Sequence, residues 1–127
     1  MFTSRRYVLL LESSGEAYHP VHDLLKQHAC PVYVACSTAQ AVARIDQSLP
    51  YLMILAGGHQ DWSPGLVHDL RERVHSAEVT IVALTELGEL RHAPSEDYPD
   101  LDGFLVKPLS DEVLTSVLES ALVKTDF

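Results

Sequence analysis

The chain reads as an α/β protein built on a five-stranded parallel sheet, and two observations predict this. Five short apolar runs alternate with segments whose apolar residues recur at helical spacing, the pattern of strands joined by right-handed crossovers. One run, Pro50-Tyr-Leu-Met-Ile-Leu-Ala-Gly-Gly, stays apolar from a proline to a glycine pair, as a strand covered on both faces does. The glycines end that strand and leave its carboxyl end as a loop, where open α/β sheets place their chemistry. The residue there is Ala56, a methyl group with no proton to move, no lone pair and no charge.

The elements follow in order. Residues 7–11 are a first strand, apolar throughout. Residues 17–28 are a helix with Val21, Leu24, Leu25 and His28 on one face, and Pro20 falls in its first turn, where a missing N–H is tolerated. Residues 31–35 are a second, short strand. Ser37 and Gln40 fit a capping box for a helix to Ser48, with Ala41, Val42, Ile45 and Leu49 inward. The third strand is 52–55. Ser63 and Pro64 are the cap and first position of a helix to Val74 that buries Leu66, Val67 and Leu70. Residues 79–84 and 103–106 are the fourth and fifth strands. Ser110 caps the last helix, with Asp111 and Glu112 where the helix dipole favours acids and Val113, Leu114, Val117, Leu118 and Leu122 as its buried stripe. Regularity fails at residues 85–102, where a fourth helix is due. That segment carries Pro94, Pro99 and six acids (Glu86, Glu89, Glu96, Asp97, Asp100, Asp102) against Arg91, and reads as a short helix at 86–92 followed by an acidic loop.

Length and composition narrow the function. A chain of 127 residues with 46% apolar and 21% charged side chains suits one soluble domain, residues 1–127. It holds no apolar run of membrane length and no signal-peptide core, so a cytoplasmic location is expected. Cys30 and Cys36 lie near opposite ends of one strand and read as unpaired, buried thiols. The formal charge of −9 leaves only the small clusters Arg5–Arg6 and Arg71–Arg73 as cationic candidates, which disfavours nucleic acid and anionic membranes and permits a basic protein partner.

Three stretches together resemble the receiver domain of two-component response regulators, over residues 6–123. Residues 50–56 look like the family's run into its phosphorylated aspartate. Val79-Thr-Ile-Val-Ala-Leu-Thr85 looks like its fourth strand ending in the switch Thr/Ser, and Gly103-Phe-Leu-Val-Lys107-Pro108 like its fifth strand ending in Lys-Pro. The resemblance implies a flavodoxin-like (CheY-like) doubly wound sheet of order 2-1-3-4-5, with a degenerate fourth helix, and a place in a bacterial two-component pathway. In that family an aspartate takes a phosphoryl group, two acids hold Mg²⁺, and a lysine pairs with the phosphoryl oxygens.

Carried over position by position, Lys107 matches the lysine, Thr85 the switch hydroxyl and Phe104 the aromatic that changes rotamer. Glu12 falls at the first metal acid. Ser13 falls at the second, Ala56 at the phosphorylated aspartate and Gly58 where a carbonyl would ligate metal, while His59-Gln60 replaces the common Met-Pro. Without a carboxylate at position 56 there is no nucleophile, and one acid is too few for the usual Mg²⁺ site. The chain therefore resembles a pseudo-receiver: no enzyme, no cofactor, a vestigial phosphorylation site, and signalling through a protein partner, a fused domain or a homodimer. The candidate switch and partner surface is Thr85, Glu96, Asp97, Asp100, Asp102 and Phe104 with the last helix. Lys107 is expected to turn to Glu12, unless both face solvent.

Two rival functions stay open. One is a sensor of a small apolar or redox ligand in the vacated pocket at Ala56, Gly57, Gly58 and Trp62. The other is a non-standard phospho-receiver using Asp61 or Glu12. Weaker constellations are His19 with His22, and His59 with Asp61 and His68, as metal sites, and Ser13 or Ser14 as nucleophiles. The first pair lacks a third ligand nearby in sequence, the serines lack a His–acid relay, and Gly57-Gly58 lacks a phosphate-loop pattern.

Overall fold

The computed structural model describes residues 7–12, 20–27, 31–56, 64–74, 79–85, 101–106 and 110–125. The elements run β1 (Val8–Leu11), α1 (Pro20–Gln27), β2 (Val32–Ala35), α2 (Thr38–Gln47), β3 (Leu52–Leu55), α3 (Pro64–Val74), β4 (Thr80–Thr85), β5 (Gly103–Val106) and α4 (Asp111–Thr125). The five strands form one sheet in the order β2-β1-β3-β4-β5, and every neighbouring pair is parallel. The expected 2-1-3-4-5 order is therefore observed. The degenerate fourth helix falls on residues 86–100, outside the described residues.

The apolar runs do what runs without alternation must: they feed two cores. Leu9, Leu11, Met53, Leu55, Ile81 and Ala83 pack with Ala41 and Ile45 of α2 and Val67, Leu70 and Val74 of α3. Their strand neighbours Val8, Leu10, Leu52, Ile54, Val82 and Leu84 pack on the other face with Leu25 of α1 and Leu114, Leu118 and Ala121 of α4. Side chains alternate across a strand, so a central strand covered by helices on both faces must be apolar at every position. All four residues of β1 and of β3 are buried accordingly.

The α2 cap forms as its sequence demands, with one variation. The Gln40 N–H donates to Ser37 Oγ at 3.2 Å, and Gln40 Oε1 accepts from the N–H of Cys36 at 2.8 Å, one residue upstream of the cap itself. At the start of α4 the Val113 N–H donates to Ser110 Oγ at 3.2 Å. Two expectations are corrected. Cys36 is exposed, not buried: it follows the last residue of β2, which lies at the edge of the sheet. Val113 is 45% exposed, because the stripe of α4 runs through Leu114, Leu118 and Ala121 and leaves Val113 on its flank. Cys30, His28 and Ser63 lie outside the described residues.

At the amino ends of the strands, Arg44 of α2 lies over the rings of Tyr7 (4.9 Å) and Tyr33 (5.1 Å), and the Tyr7 hydroxyl donates to the Ser48 carbonyl at 2.7 Å. Burial raises the Tyr7 phenol above its ordinary value of 10.0, with the Arg44 guanidinium acting the other way as a lesser influence. The folded protein therefore holds this proton where the unfolded chain releases it. The stability this contributes is intact below about pH 10 and is lost as pH rises further. In urea titrations across that range, Tyr7→Phe is expected to flatten the alkaline loss, while lowering stability by about 1 kcal/mol at neutral pH through the missing hydrogen bond. Parallel slopes for the two proteins above pH 10 would remove Tyr7 as the cause.

Candidate functional site

Parallel pairing brings the ends of β1 and β3 side by side. Leu11 is in register with Leu55, the Ala56 N–H donates to the Leu11 carbonyl at 2.9 Å, and the Glu12 N–H donates to the Ala35 carbonyl at 3.0 Å. Glu12 and Ala56 therefore sit one strand spacing apart, about 4.8 Å. By alternation both share the face of Leu10 and Ile54. Leu84 stands opposite Ala56 on β4, one residue beyond the Leu55–Ala83 pair. Ala56 is 2% exposed and belongs to the α1/α4 core, and Glu12 is 6% exposed, one of two buried polar or charged residues among those described.

The site is thus a carboxylate beside a methyl group at the carboxyl end of the sheet. Thr85 ends β4 in register with Val106, the last residue of β5, so these two strands finish level at the same end of the sheet. Ser13, Gly58 and Lys107 lie outside the described residues, as do Glu96, Asp97 and Asp100, Gly57, Asp61 and Trp62, and the expected Glu12–Lys107 pair. Phe104 is half-buried, packed against the α2/α3 core. His68 is an exposed α3 residue 3.9 Å from Glu72. Among the described residues no group of three His, Cys, Asp or Glu side chains could hold a metal ion.

Asp102 has a role the sequence does not reveal. Its Oδ2 accepts from Arg71 Nη2 at 2.8 Å and from the Ile81 N–H at 2.8 Å, while its own N–H donates to the Ile81 carbonyl at 2.7 Å. Arg71 Nη1 donates at 2.8 Å to the Val79 carbonyl. One acid and one base thus tie the end of α3 to the starts of β4 and β5. Arg73 pairs with Asp46 at 3.6 Å. The Arg71–Arg73 cluster is engaged with acids of this chain. An Arg71–Asp102 contact spans 31 residues, and only the pairing of a helix basic residue with the acid heading the last strand could have hinted at it.

No protein-family model matches the chain, and no curated protein matches it in sequence. Solved structures do match in shape. A two-component response regulator from Clostridium difficile superposes with a TM-score of 0.71 at 17% identity, over 96% of this chain and 99% of that one. The receiver domain of NtrX from Brucella abortus gives 0.73 at 20% identity, over 91% of this chain and 97% of that one. A sensor protein from Polaromonas sp. JS666 gives 0.73 at 19% identity, over 94% and 97%. No described helix is long and apolar enough to cross a membrane. With its strand order, its helices on both faces and these neighbours, the chain has the receiver fold.

Proposed function

We propose that this chain is a receiver-like signalling module that works without phosphotransfer, by contact with a protein partner in a two-component-type pathway. The observation that carries the reading is Ala56: the position at which the resemblance places the phospho-acceptor is a methyl, 2% exposed and packed into the α1/α4 core. A buried methyl offers no nucleophile, and a neighbouring single carboxylate, Glu12, supplies half of a metal-binding pair. Signalling then rests on surface and differential affinity alone, with no enzymatic step. The partner face in this reading joins the acidic segment 86–102 to Phe104 and the exposed side of α4, where Val113 stands 45% exposed. Asp102 contributes to that face as its anchor, since its carboxylate already holds Arg71 and Ile81. The net charge of −9 favours a basic protein over nucleic acid or an anionic membrane.

The test is intact mass after exposure to acetyl phosphate and Mg²⁺. The native protein is expected to gain no phosphoryl group. A native protein that is modified would overturn the proposal, and peptide mapping would then separate Glu12 from Asp61.

A further inference from the structure

β2 is the last strand on its side of the sheet, and its outer edge combines three properties. Its backbone is open. The carbonyls of Pro31 and Ala35 accept from the N–H groups of Val8 and Glu12, at 2.9 and 3.0 Å, so by alternation the N–H and C=O groups of Val32 and Val34 face away from the sheet. Its side chains are uncharged. Residues 30–36, Cys-Pro-Val-Tyr-Val-Ala-Cys, hold no charged side chain in a chain that is 21% charged, and Val34 is 38% exposed. A lysine or an outward-facing proline commonly guards a strand edge; Pro31 does not, because its backbone faces β1. Third, the segment reads nearly alike in both directions about Tyr33.

From these we infer that β2 is a docking edge for a second copy of the chain, paired antiparallel about a two-fold axis at Tyr33. A two-fold contact requires a self-complementary surface, and the near-palindrome makes this edge one. Val32 of one copy then stands opposite Val34 of the other, and each such pair exchanges hydrogen bonds between the backbone groups left open. Val32 packs on the α1 side of the sheet, and Val34 shares that side by alternation, so the valines of both copies form one apolar cluster that covers Val34. Tyr33 meets its counterpart on the other side as a non-hydrogen-bonded pair, the geometry in which side chains approach most closely. Cys36 falls opposite Cys30 of the second copy. The Cys36 N–H is already taken by Gln40 Oε1 at 2.8 Å, which ends the ladder there. An edge of 4 residues buries well short of the about 1,600 Å² of a standard interface, so the dimer is weak and reversible, with a Kd of about 100 µM. An unrelated strand would draw nothing from the palindrome. This inference goes beyond the reading of position 56 and does not rest on it.

Sedimentation velocity of the full chain over about 10 µM to 1 mM tests this, and a dimer is expected to build up across that range. Val34→Lys puts a charge on the pairing edge at an exposed position and should weaken association by at least about tenfold. Val113→Lys, also at an exposed position but on α4, should leave association unchanged. Cross-linking reads the register. Pro31 and Cys36 stand about 16 Å apart along the strand and one residue step spans about 3.8 Å, so Cys30 and Cys36 of one chain are too far apart for a short bis-maleimide. Across the two-fold axis they are neighbours. The reagent should therefore join chains in a mixture of Cys30→Ser and Cys36→Ser proteins, and in neither protein alone. Three results overturn the inference. A monomer at every concentration would leave the edge to a strand of another protein. Association lost in Val113→Lys and kept in Val34→Lys would move the contact to α4. Cross-linking of Cys30→Ser protein alone, to the extent seen in the mixture, would bring the two copies together in another way.

Discussion

Ala56→Asp is expected to destabilise the domain by about 3 kcal/mol at neutral pH in the absence of divalent metal. The introduced carboxylate would stand in a position 2% exposed, one strand spacing from buried Glu12 and opposite Leu84. Burial and a like charge both disfavour its ionised form, so its folded pKa would lie above the unfolded value. The penalty is then absent at low pH, where the group is protonated in both states, and grows as pH rises through the carboxylate range. Mg²⁺ should reverse much of it, because Glu12 and the new aspartate together offer the two acids a hard cation needs, and binding to the folded state stabilises by mass action. Thermal melts of native and variant protein, with and without Mg²⁺, check this directly. A variant as stable as the native chain without metal would show that position 56 is open to solvent, and would favour the rival reading of a sensor in the vacated pocket. The same variant tells how complete the vestigial site is. Phosphorylation of Ala56→Asp alone would place the loss at one residue, and failure of both proteins would place it more widely.

Asp102→Ala should cost about 3 kcal/mol, close to the penalty of emptying a core position. It deletes a charge-assisted bond to Arg71 and leaves the N–H of Ile81, a residue 0% exposed, without its acceptor. An unmet buried donor accounts for more of the loss than the partly exposed ion pair. Asp102→Asn keeps an acceptor and should lose only about 1 kcal/mol. Urea unfolding of both variants and of Arg71→Ala measures the coupling. If Asp102→Ala falls within 0.5 kcal/mol of native, the carboxylate is not structural, and Asp102 rejoins the acidic surface on equal terms with Glu96, Asp97 and Asp100.

The contrast between Ala56 and Asp102 shows what a single sequence carries. Leu52–Leu55 and Gly103–Val106 match the expected strands residue for residue because period-2 burial on both faces leaves an unmistakable apolar run. The Ser37 cap was equally legible, since its partner lies three residues away. Ala56 and Glu12 come to one site in the sequence only through the family resemblance, which supplies the β1–β3 pairing that the structure shows. In the sequence Asp102 is one more acid in an acidic stretch, since its partners lie 31 and 21 residues distant and depend on how α3 crosses the sheet. Apolar character alone points Cys36 and Val113 inward, yet burial there depends on a covering neighbour. Cys36 at a sheet edge and Val113 on a helix flank are both exposed.

The clamp of Arg71, Ile81 and Asp102 also bears on engineering. It fixes where β5 re-enters the sheet through residues of α3, the start of β4 and the residue before β5. Foreign sequence could be grafted between Thr85 and Leu101, each doubling of its length adding only about 0.6 kcal/mol of closure entropy, while the register of the last strand stays anchored from outside the graft.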